Sequence, residues 1–141
     1  MSTVSKHVIA ELYHCKNIEY FDNEDNLRDL LIECAAIAKV SIIRVDTHKF
    51  YPKGISGSLF LEESHFSTHI WTEENYISLD LYTCGTTALP TKALQYFMER
   101  LGCEGSCVSV IERGLRNKEA NSYFHVTHAY QPWLEEIASL S

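Results

Sequence analysis

The chain has 141 residues, enough for one domain (1–141) with a core of its own. Hydrophobic residues make up 45% and charged residues 22%, an ordinary balance for a globular protein, and no apolar run approaches the roughly 18 residues that cross a bilayer. A net charge of −7 without a Lys/Arg cluster argues against a nucleic-acid surface and suits a cationic small-molecule substrate.

The first residues, MSTVSKHVIAELYHC, lack the charged-then-apolar layout of a signal peptide, so a cytoplasmic protein is expected. Five cysteines (Cys15, Cys34, Cys84, Cys103, Cys107) without a secretory signal imply reduced thiols. Any special cysteine among them is then catalytic rather than bridged.

In chain order, Val8, Ala10 and Leu12 share one face of 7–13, the pattern of a half-buried strand. Asp22 and Asn23 offer N-cap side chains, and Leu27, Leu30, Leu31, Cys34 and Ile37 recur at helical spacing, which predicts a helix over 24–38. A β-branched run at 40–50 reads as the second strand, broken by Pro52-Lys53-Gly54. Three strand-like runs follow, 56–63, 65–71 and 76–84, joined by short polar links as in an antiparallel meander. Pro90 suits the first turn of a second helix. Leu94, Phe97, Met98 and Leu101 form its stripe, and Gly102 stands where a C-cap glycine belongs. VSVIE at 108–112 reads as the last strand. Beyond Gly114 the pattern weakens, with a short terminal helix expected over 132–140 behind Pro132.

The order β-α-β-β-β-β-α-β predicts an α+β fold, a two-layer α/β sandwich with two helices on one face of a mostly antiparallel sheet. Strand parity divides the sheet's faces. Ile77, Leu79 and Leu81 fall with Phe66, Thr68 and Ile70 on the side that takes the helices. The other side carries His65, His69, Trp71, Tyr76, Asp80, Tyr82 and Cys84, too aromatic a set to be left wholly to water. That face is expected to pack against the sheet of a second subunit and to hold the active site.

Several chemistries can be weighed on spacing. His65 and His69 form H-x3-H, but in a strand such residues stand about 13 Å apart, too far for one zinc ion. Cys103-x3-Cys107 with His125-x2-His128 is a weak four-ligand pattern, read instead as packed thiols and solvated imidazoles, so no metal is expected. Gly54-Ile55-Ser56-Gly57 lacks the spacing of a nucleophile elbow. Cys84 or His69 alone would read as structural. Together with Glu63-Ser64 they call for a different reading.

Lys6-His7 with Ala10-Glu11, His48-Lys49-Phe50, Ile55-Ser56-Gly57, Glu63-Ser64-His65, His69-x-Trp71-x-Glu73, Thr83-Cys84-Gly85 and Glu112-Arg113-Gly114 occur in unbroken order over about 5–114. In these motifs the chain resembles the self-processing, pyruvoyl-dependent S-adenosylmethionine decarboxylase proenzymes of the short prokaryotic type. The resemblance implies a zymogen in which Ser64 attacks the carbonyl of Glu63, an N→O acyl shift that replaces the peptide bond by an ester. By the same resemblance His69 removes the Ser64 α-proton with Ser56 assisting. Autocatalytic cleavage then yields a β chain, 1–63, and an α chain, 64–141, headed by a pyruvoyl group derived from Ser64.

The resemblance further implies a carboxy-lyase whose only cofactor is that pyruvoyl group, which forms a Schiff base with the substrate amine and accepts electrons as CO2 leaves. Cys84 would be the proton donor to the substrate's α-carbon. Phe50 and Trp71 would stack on the adenine and its sulfonium, and Glu73 would accept ribose hydroxyls. The product, decarboxylated S-adenosylmethionine, is an aminopropyl donor for spermidine and polyamine biosynthesis. Two processed α/β pairs would form a homodimer, a four-layer αββα sandwich, with neither nucleic acid nor membrane as partner.

This sequence departs from the family's pattern at Gly85-Thr86-Thr87-Ala88-Leu89, which lacks acidic residues common there, and in the tail 115–141, for which no counterpart is found. Either stretch could reach a substrate pocket. Arginine or ornithine is therefore the alternative substrate on the same scaffold, though Phe50, Trp71 and Glu73 favour a nucleoside. An unprocessed, non-catalytic nucleoside-binding relative is the second alternative.

Overall fold

Seven strands form one sheet in a computed structural model that describes residues 2–130. The elements are β1 (Ser5–Cys15), α1 (Ile18–Phe21), α2 (Glu24–Ala38), β2 (Ile42–Lys49), β3 (Ile55–Leu61), β4 (Ser64–Trp71), β5 (Tyr76–Cys84), α3 (Pro90–Leu101), β6 (Cys103–Asn117) and β7 (Ser122–Tyr130). The sheet order is β2-β3-β4-β5-β1-β6-β7, and every neighbouring pair is antiparallel. β1 therefore crosses over to lie between β5 and β6, which brings Ser5 beside both Cys84 and Arg113.

The expected two-layer α+β sandwich is what forms, with three corrections at its margins. A one-turn helix, α1, precedes α2. The last expected strand, 108–112, is the middle of a fifteen-residue β6. Beyond it the chain turns back as β7, a strand absent from the expected order because its apolar residues Phe124 and Val126 stay exposed. The terminal helix expected over 132–140 lies outside the described residues. Among the described residues no helix is long and apolar enough to cross a membrane.

Local signals fix both long helices. Asn23 caps α2 by accepting the Asn26 N–H at 3.0 Å. Pro90 opens α3, and Gly102 closes it at φ 68°, where a side chain would be strained. The helices lay Leu27, Leu30, Leu31 and Cys34 of α2 and Ala93, Leu94, Phe97 and Leu101 of α3 on one sheet face, all at most 1% exposed. Opposite them lie Val8, Ala10 and Leu12, Phe66 and Ile70, and Ile77, Leu79 and Leu81, each at most 3% exposed, as parity required. Fully burying each large apolar side chain contributes about 1.5–3 kcal/mol. α2 approaches β3 most closely at Gly57, where a Cβ would stand 2.8 Å from Leu31 Cδ1 and 2.9 Å from Leu27 Cδ2.

Candidate active site

The residues singled out in the sequence fall into two groups on the structure. The first lies at the β3–β4 hairpin. Leu61 pairs with Ser64, so Glu62 and Glu63 alone make the turn. Glu63 takes the left-handed conformation at φ 62°, which costs a residue with a Cβ about 1–2 kcal/mol. The 63–64 peptide bond thus sits at the strained end of a tight turn.

Ser64, first residue of β4, is 8% exposed. Its Oγ donates to Glu62 O at 3.2 Å and accepts the backbone N–H of Cys84 at 3.3 Å. The chain's own hairpin and β5 bury it, without a second subunit. The antiparallel pairing of β4 with β5, through His65 and Tyr82, delivers Cys84 to this hairpin. Its thiol donates to the Glu63 carbonyl oxygen at 2.9 Å and lies 3.9 Å from the Tyr82 hydroxyl. A donor on the carbonyl oxygen beside a serine hydroxyl suits attack of that hydroxyl on that carbonyl.

A polar and aromatic set surrounds the hairpin on the helix-free face. His7 Nε2 lies 3.2 Å from Asp80 Oδ1, the rings of His7 and His65 flank Tyr82, and the Arg113 guanidinium lies 4.8 Å above that ring. Burial and neighbouring His7 hold the His65 pKa below 6.5, with Asp80 opposing and Arg113 adding to the shift. The sequence reading gave His7, Asp80, Tyr82 and Arg113 no role. The alternation that puts Asp80 and Tyr82 on this face of β5 was visible, but the pairing of β1 with both β5 and β6, which brings His7 and Arg113 to them, was not.

The second group lies farther along the same face. Ser56 on β3 and His69 on β4 are directly opposite, and Ser56 Oγ and His69 Nδ1 share a 2.7 Å hydrogen bond. Beside them a cavity of about 300 Å³ is lined by Phe50, Ser56, His69, Trp71, Thr72 and Glu73, among others. That volume is at the lower end of the range for small-molecule sites. Trp71 stacks on Tyr76 at 5.2 Å between centroids, and the Tyr76 hydroxyl donates to Glu11 Oε1 at 2.8 Å. Burial and then Glu11 push the Tyr76 phenol up to about 12, so it remains a donor at neutral pH. Phe50 meets His48 edge to face at 4.7 Å. Glu11 and Tyr76, which brace the Trp71 ring, are further residues the sequence reading did not single out.

These two groups do not meet within one chain. His69 is five residues beyond Ser64 on β4, about 16 Å along the strand. The expectation that His69 and Cys84 both point at residue 64 therefore holds for Cys84 alone in a single subunit. Among the described residues, neither 85–89 nor 115–130 lines the cavity. As for metal ligands, Cys103 and Cys107 lie four residues apart on β6, about 13 Å, while His125 and His128 are on β7. One zinc ion cannot take both thiols at bond lengths near 2.3 Å.

The family model for S-adenosylmethionine decarboxylase matches residues 6–114. The chain belongs to the S-adenosylmethionine decarboxylase family. Similar proteins include the S-adenosylmethionine decarboxylase proenzyme of Thermococcus onnurineus, 35% identical over 97% of this chain and 94% of the relative. The Pyrococcus furiosus proenzyme is 34% identical over 97% and 95%. Both alignments run over 137 residues, so the tail, for which the sequence reading found no counterpart, has one in these relatives. Among solved structures, the adenosylmethionine decarboxylase of Aquifex aeolicus superposes with a TM-score of 0.76 at 29% identity, covering 86% of this chain and all of that one. A Trypanosoma brucei AdoMetDC monomer shares the fold at a TM-score of 0.57 and 15% identity, over 75% of this chain and 45% of its own. The S-adenosylmethionine decarboxylase match thus spans all the motif residues, from Lys6 to Gly114.

Proposed function

We propose that the chain, like the relatives named S-adenosylmethionine decarboxylase proenzyme, is a proenzyme, and that it cleaves itself between Glu63 and Ser64 and then decarboxylates S-adenosylmethionine. The observation that carries this is the cleavage junction itself: a buried serine hydroxyl in a strained turn, next in sequence to a carbonyl whose oxygen accepts from a cysteine thiol.

Ser64 Oγ adds to the Glu63 carbonyl carbon while the Cys84 thiol stabilises the developing oxyanion, and the C–N bond breaks to leave an ester and a free amine. Loss of the Ser64 α-proton expels Glu63 as a carboxylate. Water then replaces nitrogen on residue 64, ammonia leaves, and a pyruvoyl group heads the chain 64–141. The base for the α-proton is His69. In the tautomer whose Nδ1–H donates to Ser56 Oγ, its Nε2 keeps a free lone pair.

The 16 Å between His69 and Ser64 leads us to assign that base to a second subunit. Two copies stacked by their helix-free faces, sheet on sheet, would set the Ser56–His69 pair of one over the hairpin of the other. The αββα homodimer is in this reading a requirement of the chemistry, and each active site draws on both chains.

When formed, the pyruvoyl group supplies an electron sink for an amino-acid substrate. Cys84, freed of Glu63 by cleavage, holds the proton destined for the substrate's α-carbon. Phe50 and Trp71 offer flat faces to an adenine and a sulfonium, and Glu73 at the rim accepts ribose hydroxyls. Decarboxylated S-adenosylmethionine, an aminopropyl donor for polyamine synthesis, is the product, and the cytoplasm is the assigned compartment. Release of CO2 from S-adenosylmethionine, arginine and ornithine, each supplied alone, tests the substrate: turnover of the first is expected, and turnover of only another would overturn it.

A further inference from the structure

Asp22 stands at the C-terminal end of α1, outside the residues that line the 300 Å³ cavity, yet it is tied to the loop that forms one of the cavity's rims. Its side chain is 6% exposed. Oδ2 accepts the backbone N–H of Gly54 at 3.1 Å, and Oδ1 is ion-paired at 3.0 Å with Lys49, itself 15% exposed. The Lys49 ammonium also donates to the carbonyl oxygens of Phe50 and Pro52. Phe50 N donates to Gly54 O at 2.8 Å, which closes the loop on itself. One carboxylate and its cation thus gather the loop 50–54 that presents Phe50.

The opposite rim is the turn after β4. Thr72, 5% exposed, lines the cavity between Trp71 and Glu73. Burial by itself would raise the Asp22 pKa, but the Gly54 N–H and Lys49 hold it below the ordinary carboxylate value. The charged form is therefore the one that holds the loop at neutral pH. Lys53 adds a tie from the same loop to α1, through Glu19 at 2.8 Å.

We propose that Asp22 is a positioning residue for the nucleoside pocket, fixing the Phe50 loop opposite the Trp71–Glu73 rim through Lys49 and Gly54. This rests on the reading of that cavity as the adenosyl site. The ring of Phe50 is half exposed, lies outside the hydrophobic core and meets His48 edge to face, so the loop's anchor bears on its distance from Trp71. A flat aromatic ligand needs that gap fixed, because a gap even 1 Å too wide forfeits much of the stacking contact. The Ser56–His69 pair is held by the β3–β4 ladder instead, so self-cleavage does not depend on Asp22.

Asp22→Asn tests this, because it keeps the shape and the Gly54 bond but removes the charge. Expected are complete self-cleavage, kcat for S-adenosylmethionine within about twofold of the unsubstituted enzyme, and KM raised about tenfold or more. The Kd of unreactive 5′-methylthioadenosine should rise in parallel. An unchanged KM and Kd would overturn the proposal, as would a loss confined to kcat. If the unsubstituted enzyme neither binds nor turns over adenosyl compounds, the functional reading fails. The clamp is then decided by hydrogen exchange: faster exchange in Asp22→Asn at the amides of 50–56 upholds it, and unchanged exchange overturns it. Should Asp22→Asn not fold, Lys49→Gln breaks the pair from the loop side and is read in the same way.

Discussion

The thiol of Cys84 lies 2.9 Å from the carbonyl oxygen of Glu63, the carbonyl that Ser64 must attack. This one contact gives Cys84 two successive duties, first as a donor to the oxyanion of processing and then, with Glu63 gone, as the proton source for decarboxylation. Cys84→Ala is therefore expected to slow self-cleavage by up to about 10²–10³-fold, the scale of a lost oxyanion donor, without abolishing it. In the chains that do mature, turnover should fall about 10²–10⁴-fold. Protonation should also stray to the pyruvoyl carbon, converting the chain's first residue to alanine during turnover. Gel analysis of cleavage and mass analysis of the α chain check both. Normal turnover would remove Cys84 from the mechanism.

Ser64 and His69 share a strand but stand about 16 Å apart along it. If the base comes from the partner, two inactive variants should rescue each other. Ser64→Ala and His69→Ala, each made alone, should stay uncleaved. Co-expressed, they should yield cleavage of the His69→Ala chain, because a Ser64→Ala neighbour lends it an intact His69. The Ser64→Ala chain should remain whole. No cleavage in the mixture, at a ratio where mixed dimers form, would contradict the shared site.

His65 follows the cleavage serine and is held below pKa 6.5 by burial and His7, against the pull of Asp80, with Arg113 reinforcing the shift. Its folded pKa is below its unfolded one, so the folded state binds the proton less readily. Its contribution to stability is complete above about pH 6.5 and is lost as pH falls through the folded value. An NMR titration of Ser64→Ala protein should give His65 a midpoint below 6.5, and His65→Gln should lose less thermal stability than its parent between pH 6.5 and 5. A midpoint at or above 6.5 would contradict this environment.

Gly57 lets α2 seat on β3, for a Cβ there would stand 2.8–2.9 Å from Leu31 and Leu27. Gly57→Ala is expected to destabilise the protein by about 1–3 kcal/mol and lower Tm by several degrees. The companion change Leu31→Ala should recover part of that loss in the double variant, because it removes the group that clashes. Thermal melts of the two singles and the double check the coupling, and strictly additive losses would contradict it.

The helix over 24–38 and the strand over 76–84 were legible because caps, periodicity and parity all agreed there. β7 was not. SYFHVTHAY alternates, but its apolar residues remain exposed, so it has no buried aliphatic face to signal a strand. The pairings Ser56–His69 and Ser64–Cys84 follow from register, which is set by turn lengths that a sequence states only loosely. The separation of the two groups follows from strand rise alone. The Asp22 anchor was hidden because α1 is a single turn and its tie to Lys49 and Gly54 is purely tertiary.

The central claim is self-cleavage at Ser64, and intact-protein mass spectrometry of the natively purified protein tests it most directly. The account predicts two chains, 1–63 and 64–141, the second lighter than a serine-headed chain by one ammonia, and a single full-length species from Ser64→Ala. A single full-length species from the unsubstituted protein, or an α chain that begins with an intact serine, would contradict it.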